Sequence, residues 1–342
     1  MLDLKNEVMV KVAEDGTVLR AYRGLQKLES DEIKLIYGDE RKFRDTPYDP
    51  WTYRDFESGY AGFHTYFVSP AVALVWKLIE LKNQGKLDKT VKEIFDDIKT
   101  CISKNYVHFD AKQCYSIKEY GYFLPELARN SSEYIEYRRD LRQMVQKLKD
   151  MGKKLFVATN SHVEYMELIM TASIGEDWKD FFDFKSAFCG KPAYFKLLDT
   201  KRCFYREDSD SPTLLGKECH ADDLDSDHIY LKGNWVDLEL YFKRITGKDK
   251  INFLYFGDHY ITDAAISDLH SNWKGVSVME EWNHESHSPS ENSNLVNYQK
   301  YWGSYFGDEV DGVWKKSAWV KFAEEHTSFV VKVLSDIINV LE

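Results

Sequence analysis

Short apolar runs alternate with amphipathic segments in the second half of the sequence, and this alternation constrains the fold more than any other feature. The runs typical of strands lie at residues 153–161, 181–188, 251–259 and 274–280. The segments with helical spacing lie between them, at residues 162–174, 234–247 and 262–271. Strands that alternate with helices form βαβ units, whose right-handed crossovers place the strands in a parallel sheet. The sequence therefore predicts an α/β fold.

The first half of the chain is predicted to form a β-hairpin followed by helices. Residues 7–22 hold two β-rich runs around Asp15-Gly16, a dipeptide typical of tight turns. Apolar side chains recur at helical intervals in residues 70–86, 89–104 and 131–150. We therefore expect a β-hairpin that belongs to the core at residues 1–24, and a mostly helical insertion or cap at residues 25–150.

The remaining residues, 151–342, are predicted to form the core of the α/β fold together with a C-terminal helix. Helical spacing over residues 317–341 indicates one long amphipathic helix that packs against the core. Two polar stretches, residues 207–228 and 283–298, are typical of exposed loops.

The charge balance and the cysteines exclude several classes of protein. The 342 residues carry 46 Lys and Arg against 57 Asp and Glu, a net charge of -11 that disfavours nucleic acid as a partner. No run approaches the ~18 apolar residues of a membrane span. Five cysteines are scattered without the spacing of a disulfide framework or of a zinc site. We therefore expect a cytoplasmic protein with no nucleic-acid or membrane partner.

Three of the predicted strands end in polar residues of complementary chemistry. Thr159 and Asn160 follow the first strand, where a hydroxyl and the N–H groups of a helix start can hold phosphate. Lys191 follows the second strand as a fixed cation. Asp258 and Asp263 flank the loop after the third strand, and paired carboxylates suit a hard cation such as Mg²⁺. Because ligands bind beyond the carboxyl ends of parallel strands, these residues predict a phosphate and metal site.

Each of these signals has an ordinary structural alternative. Thr-Asn-Ser after a strand is commonly a helix cap, and Lys-Pro is usually part of a surface loop. Gly-Asp-x-x-x-x-Asp is about as often a turn followed by a cap. The order of the three signals on successive strands is more specific than any one of them.

That order resembles the second, third and fourth motifs of the haloacid dehalogenase superfamily. A closer resemblance, in the same order along nearly the whole chain, is to the 5′-nucleotidase domain-containing proteins, which are relatives of the cytosolic purine 5′-nucleotidase. The segments that carry it are EDGTVLRAYRG, KLFVATNSH, CGKPAYF, YLKGNWVDL, LYFGDHYITD and KYWGSYF.

The resemblance implies a haloacid dehalogenase-type parallel sheet and Mg²⁺-dependent hydrolysis of a phosphomonoester through an aspartyl-phosphate. By this resemblance Thr159 holds a phosphate oxygen with Asn160 beside it, and Lys191 neutralises the transferring phosphoryl group. Asp258 is implied as a Mg²⁺ ligand, and Asp263 as a support for the metal or for Lys191. The implied substrate is a nucleoside monophosphate or another small phosphomonoester, and assembly into a homo-oligomer stays open.

The first motif of that superfamily, Asp-x-Asp-x-Thr at the end of an apolar strand, has no counterpart in these 342 residues. Asp3 has no partner at the required spacing. Two polar sets have the Asp-x-Asp spacing, but no β-rich apolar run precedes either of them: Asp208 with Asp210, and Asp223 with Asp225 and Asp227. We therefore expect the chain to lack the nucleophile, the acid/base, one metal carboxylate and the strand that carries them, and to be inactive as given.

Three explanations for this gap stay open at the level of the sequence. The chain is a truncated gene product or isoform of an active enzyme, an expression fragment, or a catalytically dead relative that acts as a binding or interaction protein. An upstream coding sequence with a strand that ends in Asp-x-Asp-x-Thr would favour the first, and an upstream sequence without both aspartates would favour the third.

The sequence does not extend the resemblance to nucleotide specificity. Residues in the corresponding helical region are spaced differently from those of the purine enzyme, and they are equally typical of a helix surface: Lys99, Asn105, His108 and Phe109. Three histidines lie in polar stretches without partners at zinc-ligand spacing, so we expect no zinc site: His220, His284 and His287.

Overall fold

The structure is a computed structural model, and it describes residues 1–43, 59–63, 65–104, 117–118, 122–197, 202–208, 211–279, 281–282, 285 and 302–337. Six residues considered above lie outside these ranges: Asn105, His108, Phe109, Asp210, His284 and His287. The loop predicted at 283–298 also lies outside them, except for residue 285.

The protein is an α/β structure, as the sequence predicts. Its strands are β1 (Leu2–Asp3), β2 (Val8–Val12), β3 (Val18–Arg23), β4 (Gln26–Lys27), β5 (Tyr60–Ala61), β6 (Phe156–Ala158), β7 (Phe184–Ala187), β8 (Phe204–Asp208), β9 (Ser211–Cys219), β10 (Ile229–Lys232), β11 (Leu254–Gly257), β12 (Lys274–Val278), β13 (Gly307–Val310), β14 (Val313–Lys316) and β15 (Phe329–Val331). Its α-helices are α1 (Ser30–Tyr37), α2 (Ser69–Asn83), α3 (Val91–Ser103), α4 (Phe123–Arg129), α5 (Ser131–Tyr134), α6 (Arg139–Asp150), α7 (Val163–Ile174), α8 (Ala193–Lys196), α9 (Trp235–Thr246), α10 (Ile266–His270) and α11 (Ala318–His326). Among the helices of the described ranges, none is long and apolar enough to cross a bilayer.

The chain divides into two compact units, each built from separate stretches of sequence. The first unit contains Met1–Ile102, Gly257–Ile261 and Val276–Val333. The second unit contains Ser103–Phe256, Thr262–Gly275 and Leu334–Glu342. The three ranges that the sequence predicts, with boundaries after residues 24 and 150, stay a prediction.

The first unit is built on an antiparallel sheet in the order β4-β3-β2-β1-β5. The predicted hairpin is confirmed: β2 and β3 pair antiparallel, with Met9 opposite Tyr22 and Val10 opposite Ala21. The turn between them closes because the carboxylate of Asp15 accepts the backbone N–H of Thr17 at 3.0 Å. All five residues of β2 are buried, so the hairpin is a core element of this unit.

The second unit is built on a mixed sheet in the order β6-β7-β10-β8-β9. β6, β7 and β10 are parallel. Helix α7 lies between β6 and β7 along the chain, and α9 follows β10. Apolar side chains of α6, α7, the sheet and the 3₁₀ helix Glu176–Phe181 form a common core, which includes Met144, Val163, Met166, Trp178, Ala187 and Leu231. The carboxyl ends of β6 and β7 therefore lie side by side at one edge of a rigid support.

The helix predicted over residues 131–150 is interrupted. The structure has a short α5 and a longer α6, with Ile135 in an extended conformation between them. The backbone N–H of Arg138 donates to the carbonyl of Ser173 in α7 at 2.7 Å, so a tertiary contact takes the donor that a continuous helix would use internally.

The prediction that residues 207–228 form an exposed loop is wrong for their first half. β8 and β9 form an antiparallel hairpin that extends the sheet, with β8 beside β10. Phe204 at the start of β8 is fully buried, and its ring packs edge-on against Phe184 of β7 at 5.3 Å. Burial of this ring draws a polar-looking segment into the sheet, which residue composition alone does not reveal.

The long C-terminal helix predicted over residues 317–341 is also wrong. Helix α11 ends at His326, and the chain then forms β15, which pairs in parallel with β12. A short 3₁₀ helix follows at Leu334–Asp336, and residues 338–342 lie outside the described ranges. The β-branched pair Val330-Val331 suits the ladder that β12 offers, and this pairing overrides the helical spacing.

Gly275 allows a close approach between two backbones of the second unit. An added Cβ at this position would lie 2.0 Å from the carbonyl oxygen of Ala264. Ala264 follows Asp263 in a π-helical turn, Tyr260–Ala265, that leads into α10. The missing side chain at Gly275 therefore fixes where the turn that carries Asp263 can sit.

We predict that Gly275→Ala lowers the free energy of unfolding by about 2–3 kcal/mol, because a backbone atom cannot rotate away from the added methyl group. Urea denaturation measures the effect. Gly247→Ala is the matched control, since a Cβ there meets nothing within 4 Å and carries only the backbone strain of its positive φ of 65°, about 1 kcal/mol. Equal losses in the two variants would contradict the close-approach explanation.

Glu207 of β8 is a carboxyl group in a poorly solvated position. Burial, and next the charge of Glu167, raise the pKa of Glu207 from 4.5 to about 7, although Lys179 opposes the shift. The folded state therefore holds a proton at pH 4.5–7 that the unfolded state has released. The resulting stabilisation is complete below pH 4.5 and is lost as the pH rises through 7.

We predict that Glu207→Gln stabilises the protein at pH 8, by about 1 kcal/mol after allowance for partial solvent screening, and has little effect at pH 4.5. Thermal unfolding of both proteins across this range measures the difference. Parallel stability curves for the two proteins would show that Glu207 has an ordinary pKa.

Candidate functional site

The loops after β6 and β7 are joined by backbone hydrogen bonds. Thr159 continues the ladder beyond β6, as its N–H donates to the carbonyl of Ser186 at 3.1 Å. Its own carbonyl accepts the N–H of Cys189 at 2.9 Å, and the carbonyl of Ser161 accepts the N–H of Phe188 at 2.7 Å. These bonds hold the two loops in a fixed relation at the carboxyl edge of the sheet.

Asn160 holds the backbone of Lys191 from two sides. Its side-chain oxygen accepts the N–H of Lys191 at 2.7 Å, and its side-chain nitrogen donates to the carbonyl of Lys191 at 3.1 Å. The amide of Asn160 is therefore engaged with the polypeptide, and its evident effect is to fix the starting point of the Lys191 side chain.

The Lys191 side chain forms a buried ion pair with Asp263. Nζ lies 2.8 Å from Oδ1 of Asp263, and the exposed fractions of the two side chains are 9% and 7%. Burial alone would lower the pKa of Lys191, but the adjacent Asp263 carboxylate outweighs it and raises the pKa above its usual range. Lys191 is thus a permanent cation beside the ends of β6 and β7.

Tyr255 of β11 completes the surroundings of the ammonium group. Its hydroxyl accepts from Lys191 Nζ at 2.6 Å and donates to the carbonyl of Ala158 at 2.9 Å. Lys191 Nζ donates to the same carbonyl at 3.2 Å. Ala158 is the last residue of β6, so the network ties the ammonium to the strand end that precedes Thr159.

Thr159 retains hydrogen-bonding capacity at this strand end. Its hydroxyl oxygen accepts the N–H of Ser161 at 3.1 Å, and a hydroxyl that accepts one bond still has its own proton to donate. Helix α7 begins at Val163, and the N–H groups of a first helical turn have no acceptor within the helix. A hydroxyl donor, helix-start amides and a cation are the groups that bind an anionic oxygen.

Asp258 lies one residue beyond β11 and is solvent-exposed. It falls in Gly257–Ile261, which belongs to the first unit, whereas Asp263 and Lys191 belong to the second. Within the described ranges, no group of three or more His, Cys, Asp or Glu side chains is placed to hold a metal ion. A single exposed carboxylate such as Asp258 fits Mg²⁺ only where the ion keeps most of its waters.

The structure brings three residues that the sequence predicts for the site to one edge of the second unit: Thr159, Lys191 and Asp263. The sequence prediction does not include Tyr255, which lies within the apolar run 251–259 and looks there like an ordinary strand residue. The sequence feature that could have indicated Tyr255 is its position three residues before Asp258, in a strand that ends at the site. The sequence prediction also gave Asn160 no structural task, because a contact with the backbone of a residue 31 positions away leaves no local pattern.

A sequence profile of the 5' nucleotidase family matches residues 1–318 of this chain. The chain belongs to the 5′-nucleotidase family. This assignment agrees with the resemblance seen in the sequence motifs.

Named relatives of this 5′-nucleotidase family member match most of its length. The 5'-nucleotidase domain-containing protein 1 of Bos taurus is 28% identical over 330 residues, which cover 91% of this chain and 70% of the relative. The Homo sapiens protein of the same name is 27% identical over 338 residues, with the same coverage. The 5'-nucleotidase domain-containing protein 2 of Homo sapiens is 25% identical over 295 residues, which cover 83% of this chain and 50% of the relative.

We predict that Asp263→Ala lowers the free energy of unfolding of this family member by about 3–5 kcal/mol, because it leaves the buried Lys191 ammonium without a counter-charge. The double variant Lys191→Met with Asp263→Leu is expected to recover most of the loss, since no buried charge remains. Urea denaturation measures both.

The matched control is Lys154→Met, which breaks a more exposed ion pair of 2.7 Å with Asp183 in the same unit. It should change the stability by no more than about 1 kcal/mol. An equally small loss for Asp263→Ala would mean that the Lys191–Asp263 pair is solvated and not buried.

Proposed function

We propose that this protein has the fold and the phosphate-binding residues of a haloacid dehalogenase-type, Mg²⁺-dependent phosphomonoester hydrolase. Its ligand would be a nucleoside monophosphate or another small phosphomonoester. The observation that carries the proposal is the buried Lys191, paired with Asp263 and held beside Thr159 at the carboxyl edge of the parallel strands. A fixed cation next to a hydroxyl donor is what phosphoryl binding needs from a protein.

The charge balance of this network supports a role for Mg²⁺. The positive charge of Lys191 and the negative charge of Asp263 cancel, so a phosphate dianion that arrives there has no net compensation. The chain as a whole carries a net charge of -11, which adds to the barrier. A divalent cation would supply the missing positive charge when bound, and we propose Asp258 as its exposed carboxylate ligand, with Asp263 as the partner of Lys191.

The described aspartates with Asp-x-Asp spacing do not lie in the setting that a nucleophile of this family needs, which is the end of an apolar parallel strand. Asp208 ends β8, in an antiparallel hairpin away from the parallel strand ends. Asp225 accepts hydrogen bonds from the Asp227 and His228 backbones, and Asp223 pairs with Lys217 at 3.4 Å. Since the 342 residues hold no Asp-x-Asp-x-Thr, we propose that they bind a phosphomonoester without turning it over.

A second candidate function is that of a binding or interaction protein descended from an enzyme. The observation that favours it is that the cation, its counter-ion and the clamp by Asn160 are complete in a chain without the nucleophile motif. With either function, we propose that the protein is cytoplasmic. The described cysteines are free thiols, which suit a reducing compartment: Cys101, Cys189, Cys203 and Cys219.

We predict that the purified 342-residue protein releases no phosphate above background from nucleoside monophosphates with Mg²⁺. Malachite-green detection over hours measures the release, and Asp258→Asn is the control for contaminating phosphatase. Robust Mg²⁺-dependent release that Asp258→Asn abolishes would show that the protein is an active enzyme and would overturn the hypothesis that it is inactive.

A further inference from the structure

The Lys191 ammonium group lies among three oxygen atoms. Nζ donates hydrogen bonds to the Tyr255 hydroxyl at 2.6 Å and to the Ala158 carbonyl at 3.2 Å, and it forms an ion pair with Asp263 Oδ1 at 2.8 Å. An ammonium group has three donors and no acceptor, so two of its donors already have acceptors in the protein. If Lys191 binds phosphate, as the proposed function requires, the phosphate competes with these oxygen atoms for Nζ.

The direction of the Tyr255 hydroxyl is fixed by its neighbours. Lysine Nζ can only donate and the Ala158 carbonyl can only accept, so the hydroxyl accepts from the first and donates to the second. The Ala158 carbonyl consequently has two donors, Tyr255 at 2.9 Å and Lys191 at 3.2 Å. Of the three contacts of the ammonium group, the one to Ala158 is the longest, and its acceptor has a substitute donor in Tyr255.

We propose that Tyr255 is a positioning residue that lets Lys191 turn from Ala158 to a phosphate group. It holds Nζ in place while no ligand is bound. When an anion draws Nζ away, the Tyr255 hydroxyl keeps the Ala158 carbonyl paired. This inference rests on the proposed function for its phosphate step, but its first half concerns the ligand-free protein alone.

Loss of the Tyr255 hydroxyl is expected to lower the affinity for phosphate. A buried carbonyl that loses one of two donors is still satisfied, whereas one that loses its only donor carries the full penalty of desolvation. With phenylalanine at position 255, movement of Nζ would leave Ala158 without a donor. Phosphate binding should therefore weaken, although the phenylalanine ring fills the same space.

The protein offers a matched control in Tyr194 of α8. Tyr194 is fully buried in the same unit, and its hydroxyl has no hydrogen-bond partner among the described residues. It lies three positions from Lys191 in the sequence, but it makes no hydrogen bond to Nζ. Tyr194→Phe thus removes a buried hydroxyl from a similar environment and leaves the Lys191 network intact.

The first measurement uses the full 342-residue chain without ligand. Lysine ammonium signals in ¹H–¹⁵N spectra survive at neutral pH only when hydrogen bonding and burial slow their exchange with water. Lys191→Arg assigns the signal of Lys191. We expect a protected signal in the wild type and in Tyr194→Phe, and a lost or broadened signal in Tyr255→Phe.

The second measurement is calorimetric titration of the same proteins with inorganic phosphate in the presence of Mg²⁺. Tyr255→Phe should bind about tenfold more weakly than the wild type, which is the scale of one unsatisfied buried acceptor, and Tyr194→Phe should bind like the wild type. If Tyr255→Phe fails to fold, Tyr255→4-aminophenylalanine tests the same point, because its amine keeps a donor for Ala158 and should retain most of the affinity.

The outcomes separate this inference from the proposed function. Equal or tighter phosphate binding by Tyr255→Phe overturns the inference and leaves the phosphate site standing. If the wild type binds no phosphate, the proposed function fails, and the ammonium signal alone tests whether Tyr255 holds Lys191 in the ligand-free protein. Loss of that signal in Tyr255→Phe alone supports the holding role of Tyr255, and an unchanged signal refutes it.

Discussion

The buried ion pair between Lys191 and Asp263 is the interaction on which the candidate site depends. Two charges with side chains less than 10% exposed are stable only where each has its partner in place, because desolvation of a single charge is very costly. The surrounding structure supplies that placement from both ends. Asn160 fixes the backbone of Lys191, and the close approach of Gly275 to Ala264 fixes the turn that carries Asp263.

The same pair sets the electrostatic character of the site. A lone buried lysine would attract any anion, but Lys191 is neutralised by Asp263 and hydrogen-bonded to Tyr255 and Ala158. The ammonium group of Lys191 is therefore not freely available to an incoming anion. Under the proposed function, the charge of a phosphate ligand is balanced by a divalent cation, or the ligand displaces one of the hydrogen bonds of Lys191.

Much of the second unit could be predicted from sequence because its signals are local. The parallel strands β6 and β7 and the helices α7 and α9 follow directly from apolar runs and helical spacing. The convergence of Thr159, Lys191 and Asp263 follows from the rule that ligand sites form beyond parallel strand ends.

The misses have a common physical origin in tertiary contacts. The β8–β9 hairpin depends on burial of Phe204 against Phe184, the break before α6 on a bond from Arg138 to α7, and β15 on its pairing with β12. Tyr255 was missed for the same reason, since its hydroxyl acts on residues that are 64 and 97 positions away. Spacing within a segment cannot encode such partners.

A crystal structure of the protein soaked with tungstate, a phosphate analogue with a strong anomalous signal, would show whether an anion reaches the Lys191 network. We predict an anomalous peak within hydrogen-bond distance of Thr159 Oγ1 and Lys191 Nζ, with Nζ displaced from the Ala158 carbonyl. Tungstate bound only elsewhere at saturating concentration, with the Lys191 network unchanged, would contradict this prediction.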